Sequence, residues 1–256
     1  MNILKWLFLI GGAVAAHLKN IELNQTNFVS LIGPITQTSV DFAIHQLNSP
    51  EVQDLMHKEK KIMIYINSPG GSVSSGNHFV QYMHSLQNRN ISVECIGQNF
   101  MSMAFHIFQN CNHRMILENS IGMQHQMSFG IHGNLENMNR YFKMTRTLNR
   151  LMNEVEMKKI GVSQRYYLEK VLNDWWIYGT ENIINNIADE IVLIYCSPQI
   201  HDRVIKRKEY FNGSLFYILY SHCPLYKTID VSIKKFDEFY SPDKFIDNVK
   251  KIQELC

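Results

Sequence analysis

Lys61–Ile66 (KIMIYI) runs without interruption into Asn67–Ser72 (NSPGGS) and then into apolar residues at helical spacing. A strand this apolar on both sides needs both faces of its sheet covered, and helices reached through short turns provide that cover. The pattern recurs. Phe28–Ile32 (FVSLI) and Ile91–Ile96 (ISVECI) read as further buried strands. Thr36–Leu47 and Ser72–Leu86 read as helices, through Val40, Ala43, Ile44 and Leu47 in the first and Phe79, Val80, Met83 and Leu86 in the second. Strands alternating with helices imply right-handed crossovers, hence an α/β domain with mostly parallel strands. Further strands are expected at Arg114–Leu117, Gly122–Gln124 and Ile191–Tyr195. A long helix is expected from Asn134, its N-cap, to Lys159, with Gly161 ending the pattern. Shorter helices follow at Ser163 with Tyr166–Leu172, and at Thr180–Ile187.

Bulk properties narrow the classes. With 45% hydrophobic and 19% charged residues, the 256-residue chain has ample material for a core. A net charge of +2 gives no electrostatic case for nucleic acid or a membrane surface, and Lys206-Arg207-Lys208, followed at once by Glu209, reads as a solvated face. Among eleven histidines none has metal-site spacing, so no metal or cofactor is expected. Five scattered cysteines (Cys95, Cys111, Cys196, Cys223, Cys256) argue against a disulfide framework and fit a reducing, cytoplasmic compartment. Trp6–Ala16 (WLFLIGGAVAA) resembles a short secretory core but is too short to span a bilayer comfortably. The favoured expectation is a helix packing on this protein or a neighbouring subunit, with membrane contact through residues 1–16 as the alternative. Beyond Ser197 the helix and strand signals weaken. The expected layout is therefore an N-terminal apolar segment (1–20), a main domain (21–197) and a C-terminal extension of unknown role (198–256).

The chemistry-bearing residues lie at strand ends. Gly70 and Gly71 allow positive φ and leave backbone N–H groups unobstructed, and the helix start after them adds positive partial charge. Such donors suit an oxyanion hole, although a lone SPGG is more often an ordinary strand-to-helix turn. Ser102 stands at the next such corner, between Gly97 and an apolar helix of Ala104, Phe105, Ile107 and Phe108; taken alone, such a serine is more often just an N-cap. A serine hydroxyl needs a base, and His125 follows 23 residues later at a strand end. His106 and His113 compete, but neither has a strand end to present it. An orienting carboxylate would complete the set, and Asp174 lies beside Trp175 and Trp176.

In order and spacing, IYINSPGGSV, GQNFMSMAF, RMILENSIGMQHQ, the long helix and NDWW…GTENIINNIADEIV resemble the proteolytic subunit of Clp protease, from about Phe28 to Val192. The resemblance implies a crotonase-like α/β core with a long handle helix. It makes 21–197 a serine peptidase domain with Ser102 as nucleophile, His125 as base and Asp174 as its orienting partner. The N–H groups of Gly71 and Met103 would form the oxyanion hole. Gly70, Ser72, Gln126, Met127 and Ser128 would bind substrate, with Ser128–Gly133 (SFGIHG) holding an extended strand. It also implies a homo-oligomeric ring, heptameric or doubly heptameric, acting on proteins or peptides. An ATP-driven AAA+ unfoldase would be a separate chain, since no nucleotide-binding motif is present. Three departures stand out: Met127 where proline is common, Leu172-Asn173 where a charged pair that couples the rings is usual, and a short loop between Phe108 and Arg114.

Three other readings compete: a crotonase-fold acyl-CoA enzyme, which needs acidic residues near the hole; a catalytically impaired ring or scaffold subunit; and a membrane-tethered peptidase of the same broad class, anchored through Trp6–Ala16. The Ser/His/Asp set favours a peptidase over the first two.

Overall fold

Residues 18–201, 204–211, 214–225 and 230–233 are described by the structure, a computed structural model. The apolar run Trp6–Ala16 lies outside the described residues. The chain divides into two units between Tyr195 and Cys196.

The first unit begins with β1 (Lys19–Leu23), β2 (Phe28–Ile32), α1 (Gln37–Leu47), α2 (Pro50–Glu59), β3 (Lys61–Ser68) and α3 (Val73–Asn88). There follow β4 (Ser92–Met101), α4 (Met103–Gln109), β5 (His113–Gln124), α5 (Leu135–Ile160), α6 (Gln164–Val171), β6 (Trp175–Tyr178), α7 (Glu181–Ile184) and β7 (Glu190–Cys196). Its sheet has the order β1-β7-β5-β4-β3-β2, with β6 added antiparallel along the second half of β5. The pairs β2/β3, β3/β4, β4/β5 and β5/β7 are parallel, as the strand–helix alternation requires.

Local chemistry sets the boundaries. Thr36 and Ser39 form a reciprocal capping box before α1, Ser72 caps α3 and Ser163 caps α6. The Asn134 side chain accepts the Asn137 N–H at 2.9 Å to open α5, and Gly161 at φ +81° closes it. Ile62 to Ile66 are all buried, which accounts for the unbroken apolar run of β3.

Several expectations are corrected. Arg114–Leu117 and Gly122–Gln124 are two parts of the single strand β5. Its register against β4 jumps from Gly97↔Ile116 to Asn99↔Ile121, and Ser120 stitches the bulge by donating to the Gly97 carbonyl at 2.6 Å and accepting the Leu117 N–H at 2.9 Å. The helix expected over Thr180–Ile187 contracts to Glu181–Ile184. β1, α2 and β6 were not anticipated.

The cysteine expectation is overturned. Cys95–Cys111 and Cys196–Cys223 are disulfides, each with Cα atoms 5.9 Å apart. Separations of 16 and 27 residues looked unrelated in sequence, but β4 and the end of α4 lie side by side. The case for a reducing compartment loses its support. Among the described residues no helix is long and apolar enough to cross a membrane.

The second unit is not structureless. After α8 (Pro198–His201) come β8 (Val204–Phe211), β9 (Ser214–Ser221) and β10 (Asp230–Ile233), an antiparallel sheet of order β10-β9-β8.

Candidate active site

Parallel pairing of β3, β4 and β5 brings three strand ends together. The β3 end continues into Gly70 and Gly71, the β4 end into Ser102, and the β5 end into His125. Ser102 links β4 directly to α4 at φ +53°, ψ −120°, a conformation unfavourable for a residue with a Cβ. Its N–H donates to the Met123 carbonyl at 2.8 Å, and its carbonyl accepts the His106 N–H at 3.2 Å. These bonds aim the side chain toward β5, where His125 Nε2 lies 2.8 Å from Ser102 Oγ.

The glycine turn approaches the same corner. A Cβ on Gly70 would stand 2.6 Å from the Met101 oxygen and 2.7 Å from the Ser102 Cβ, so only glycine lets β3 pack against the serine. The Ile35 N–H donates to the Gly70 carbonyl and the Ser72 N–H to the Ile35 carbonyl, both at 2.8 Å. In this parallel bridge the intervening Gly71 N–H points away from Ile35, and Gly71 lines the cleft that holds Ser102. Met103, whose N–H begins α4, lines it too.

The remaining expected residues divide into two groups. Met127 and Ser128 line the cleft with His125. Gly70 is buried in the turn, the exposed Ser72 caps α3, and Gln126 is exposed outside the cleft lining. Asp174 follows α6 at φ +52° and is exposed. Among the described residues no hydrogen bond joins it to His125. The β5/β6 ladder nevertheless ends on Gln124↔Trp175, so one further step sets Asp174 opposite His125. The competing histidines have other partners: His106 Nδ1 lies 2.7 Å from Glu156, and His113 Nε2 lies 2.7 Å from Glu190.

The sequence reading missed the cleft's deep wall, formed by Gln124 from β5 and by Asn149, Met152, Asn153 and Glu156 from α5. One signal was available. Met152, Glu156 and Ile160 follow each other at four-residue spacing, placing a carboxylate on a buried helical stripe.

A serine hydroxyl in contact with an imidazole, held at the strand ends of a mostly parallel α/β sheet, is the arrangement of a serine hydrolase. The sequence model of Clp protease matches residues 14–194, and the chain belongs to the Clp protease family. This is a family of serine peptidases, and the α/β sheet with its helices is consistent with that family's fold.

Proposed function

We propose that the chain is a serine endopeptidase that cleaves peptides and unfolded proteins through Ser102, His125 and Asp174. The observation that carries this reading is the 2.8 Å approach of His125 Nε2 to the hydroxyl of a serine held at positive φ. In the working tautomer His125 is protonated on Nδ1, and Nε2 accepts the Ser102 proton as Oγ attacks the peptide carbonyl. The carbonyl oxygen becomes an oxyanion facing the N–H groups of Gly71 and Met103. Collapse breaks the C–N bond, and the imidazolium returns its proton to the leaving amine. Water, deprotonated by His125, then hydrolyses the acyl-enzyme and restores Ser102. Asp174 is assigned by strand register rather than by contact, as the carboxylate that holds the Nδ1–H and stabilises the imidazolium. Met127 and Ser128 are assigned to the substrate backbone, next to the open edge that follows β5.

Assembly into a ring fits the surface of α5. Leu135, Tyr141, Phe142, Met144, Leu151 and Val155 are exposed along it, more apolar surface than a solvated helix presents. An AAA+ unfoldase on a separate chain is the corresponding partner for folded substrates.

The test is hydrolysis of an internally quenched unstructured peptide. Ser102→Ala lowers kcat by roughly 10⁶ and His125→Ala by nearly as much, because triad members act as a unit. Undiminished cleavage by Ser102→Ala would overturn the assignment.

A further inference from the structure

Behind the Ser102–His125 pair lies a buried polar cluster that the peptidase reading does not use. Glu156, near the end of α5, is fully buried. Its Oε1 lies 2.7 Å from His106 Nδ1 and accepts Gln124 Nε2 at 2.9 Å. Its Oε2 accepts the same Nε2 at 2.8 Å and also the Tyr167 hydroxyl. Both Glu156 oxygens accept from the amino end of the Gln124 carboxamide, which fixes which way that group points. The oxygen end is thereby turned to His125, whose backbone N–H it accepts at 3.0 Å. On the other side His106 stands one turn into α4, and its N–H donates to the Ser102 carbonyl at 3.2 Å. One carboxylate thus anchors the segments that carry both nucleophile and base.

Buried polar clusters of this kind are often replaceable by apolar packing of the same volume without loss of stability. The distinctive contribution of Glu156 is direction: it dictates where Gln124 and His106 point, and both lie within one turn of a reacting residue. We propose that Glu156 is a positioning residue for the Ser102–His125 pair, acting on His125 through Gln124. The proposal rests on the peptidase reading above.

The test measures the second-order rate of Ser102 labelling by a small fluorophosphonate, with kcat and KM on a quenched peptide and the melting temperature of each variant. Gln124→Met keeps the volume and removes the acceptor of the His125 N–H. Its labelling rate and kcat are expected to fall by about tenfold or more, with KM within about twofold. Glu156→Gln keeps one acceptor for Gln124 and is expected to fall between Gln124→Met and wild type. Ser120→Ala, a buried deletion on the same strand away from the cleft, is the stability control: its melting temperature drops and its labelling rate does not. If Gln124→Met does not fold, the double variant Gln124→Met/Glu156→Met removes carboxamide and carboxylate together, and the same loss of rate is expected of it. Labelling of the folded variant at the wild-type rate would overturn the proposal. So would a rate loss that Ser120→Ala matches at equal loss of melting temperature. Wild type that takes no label would instead sink the peptidase reading, and this role with it.

Discussion

Ser102 and its neighbours show how a few backbone constraints hold a serine hydroxyl against an imidazole. A serine at φ +53° costs on the order of 1–3 kcal/mol, borne by the backbone bonds to Met123 and His106 on either side. The close approach of Gly70 completes the confinement. Gly70→Ala would drive a Cβ into the Met101 oxygen and the Ser102 Cβ from a backbone at φ +93°. It should cost about 2–4 kcal/mol in chemical denaturation and reduce peptide hydrolysis further than that loss of folded protein explains. Gly130→Ala, with nothing within 4 Å of the added atom, should stay within about 0.5 kcal/mol of wild type. Equal stability of the two variants would contradict the packing described at the corner. At this scale Ser102 and His125 could be singled out through the order and spacing of their strand-end motifs, since neither signal is specific when taken alone. Glu156 and Gln124 were not, because their pairing joins β5 to α5 across 32 residues and leaves only a misplaced carboxylate on an apolar stripe. Asp174 lies between: its aromatic neighbours mark the place in sequence, while among the described residues no hydrogen bond joins its carboxylate to His125.

At the scale of elements, a charged clamp ties the start of β5 to the segment that leads into β7. Arg114, buried at the start of β5, donates from Nη2 to Asp189 Oδ1 at 2.6 Å and from Nε to Oδ2 at 3.2 Å. Its Nη1 reaches Gln109 Oε1 at 2.7 Å and the Asn186 carbonyl at 2.9 Å. Burial works to raise the Asp189 carboxyl, but the hydrogen bonds and charge of Arg114 outweigh it and hold it below the ordinary carboxylate range. A depressed folded-state pKa stabilises the fold above the unfolded value, and that contribution disappears as pH falls through the folded value. The Asp189 side chain is partly exposed, so solvent screens the pair, and Asp189→Asn should cost only about 1 kcal/mol at neutral pH, with the gap to wild type closing below about pH 4. Urea midpoints across that range measure it, and a gap that stays constant with pH would refute the clamp. Elements bounded by caps could be read directly: α1 from Thr36, α3 from Ser72, α5 from Asn134 to Gly161. Those that escaped lack a long period. α2 buries only Val52 and Met56, and β6 alternates over just four residues.

For the whole molecule, two disulfides alter how the chain resists unfolding. Cys95–Cys111 closes a loop that contains Ser102 and all of α4, and Cys196–Cys223 closes one within the second unit. In the chain-entropy account, closing a loop of this length contributes about 3 kcal/mol. Four of the five cysteines should therefore react with a thiol reagent only after reduction, and reduction should lower the melting temperature. Five free thiols in unreduced, denatured protein would contradict both pairings. The spread of the cysteines concealed this, since sequence spacing carries no record of which strands become neighbours. The central claim remains the activated serine, and fluorophosphonate labelling read by intact mass tests it most directly. One adduct on wild type, mapped to Ser102 and absent from Ser102→Ala, is the predicted result; folded wild type that takes no adduct, or takes it at another residue, would contradict the account.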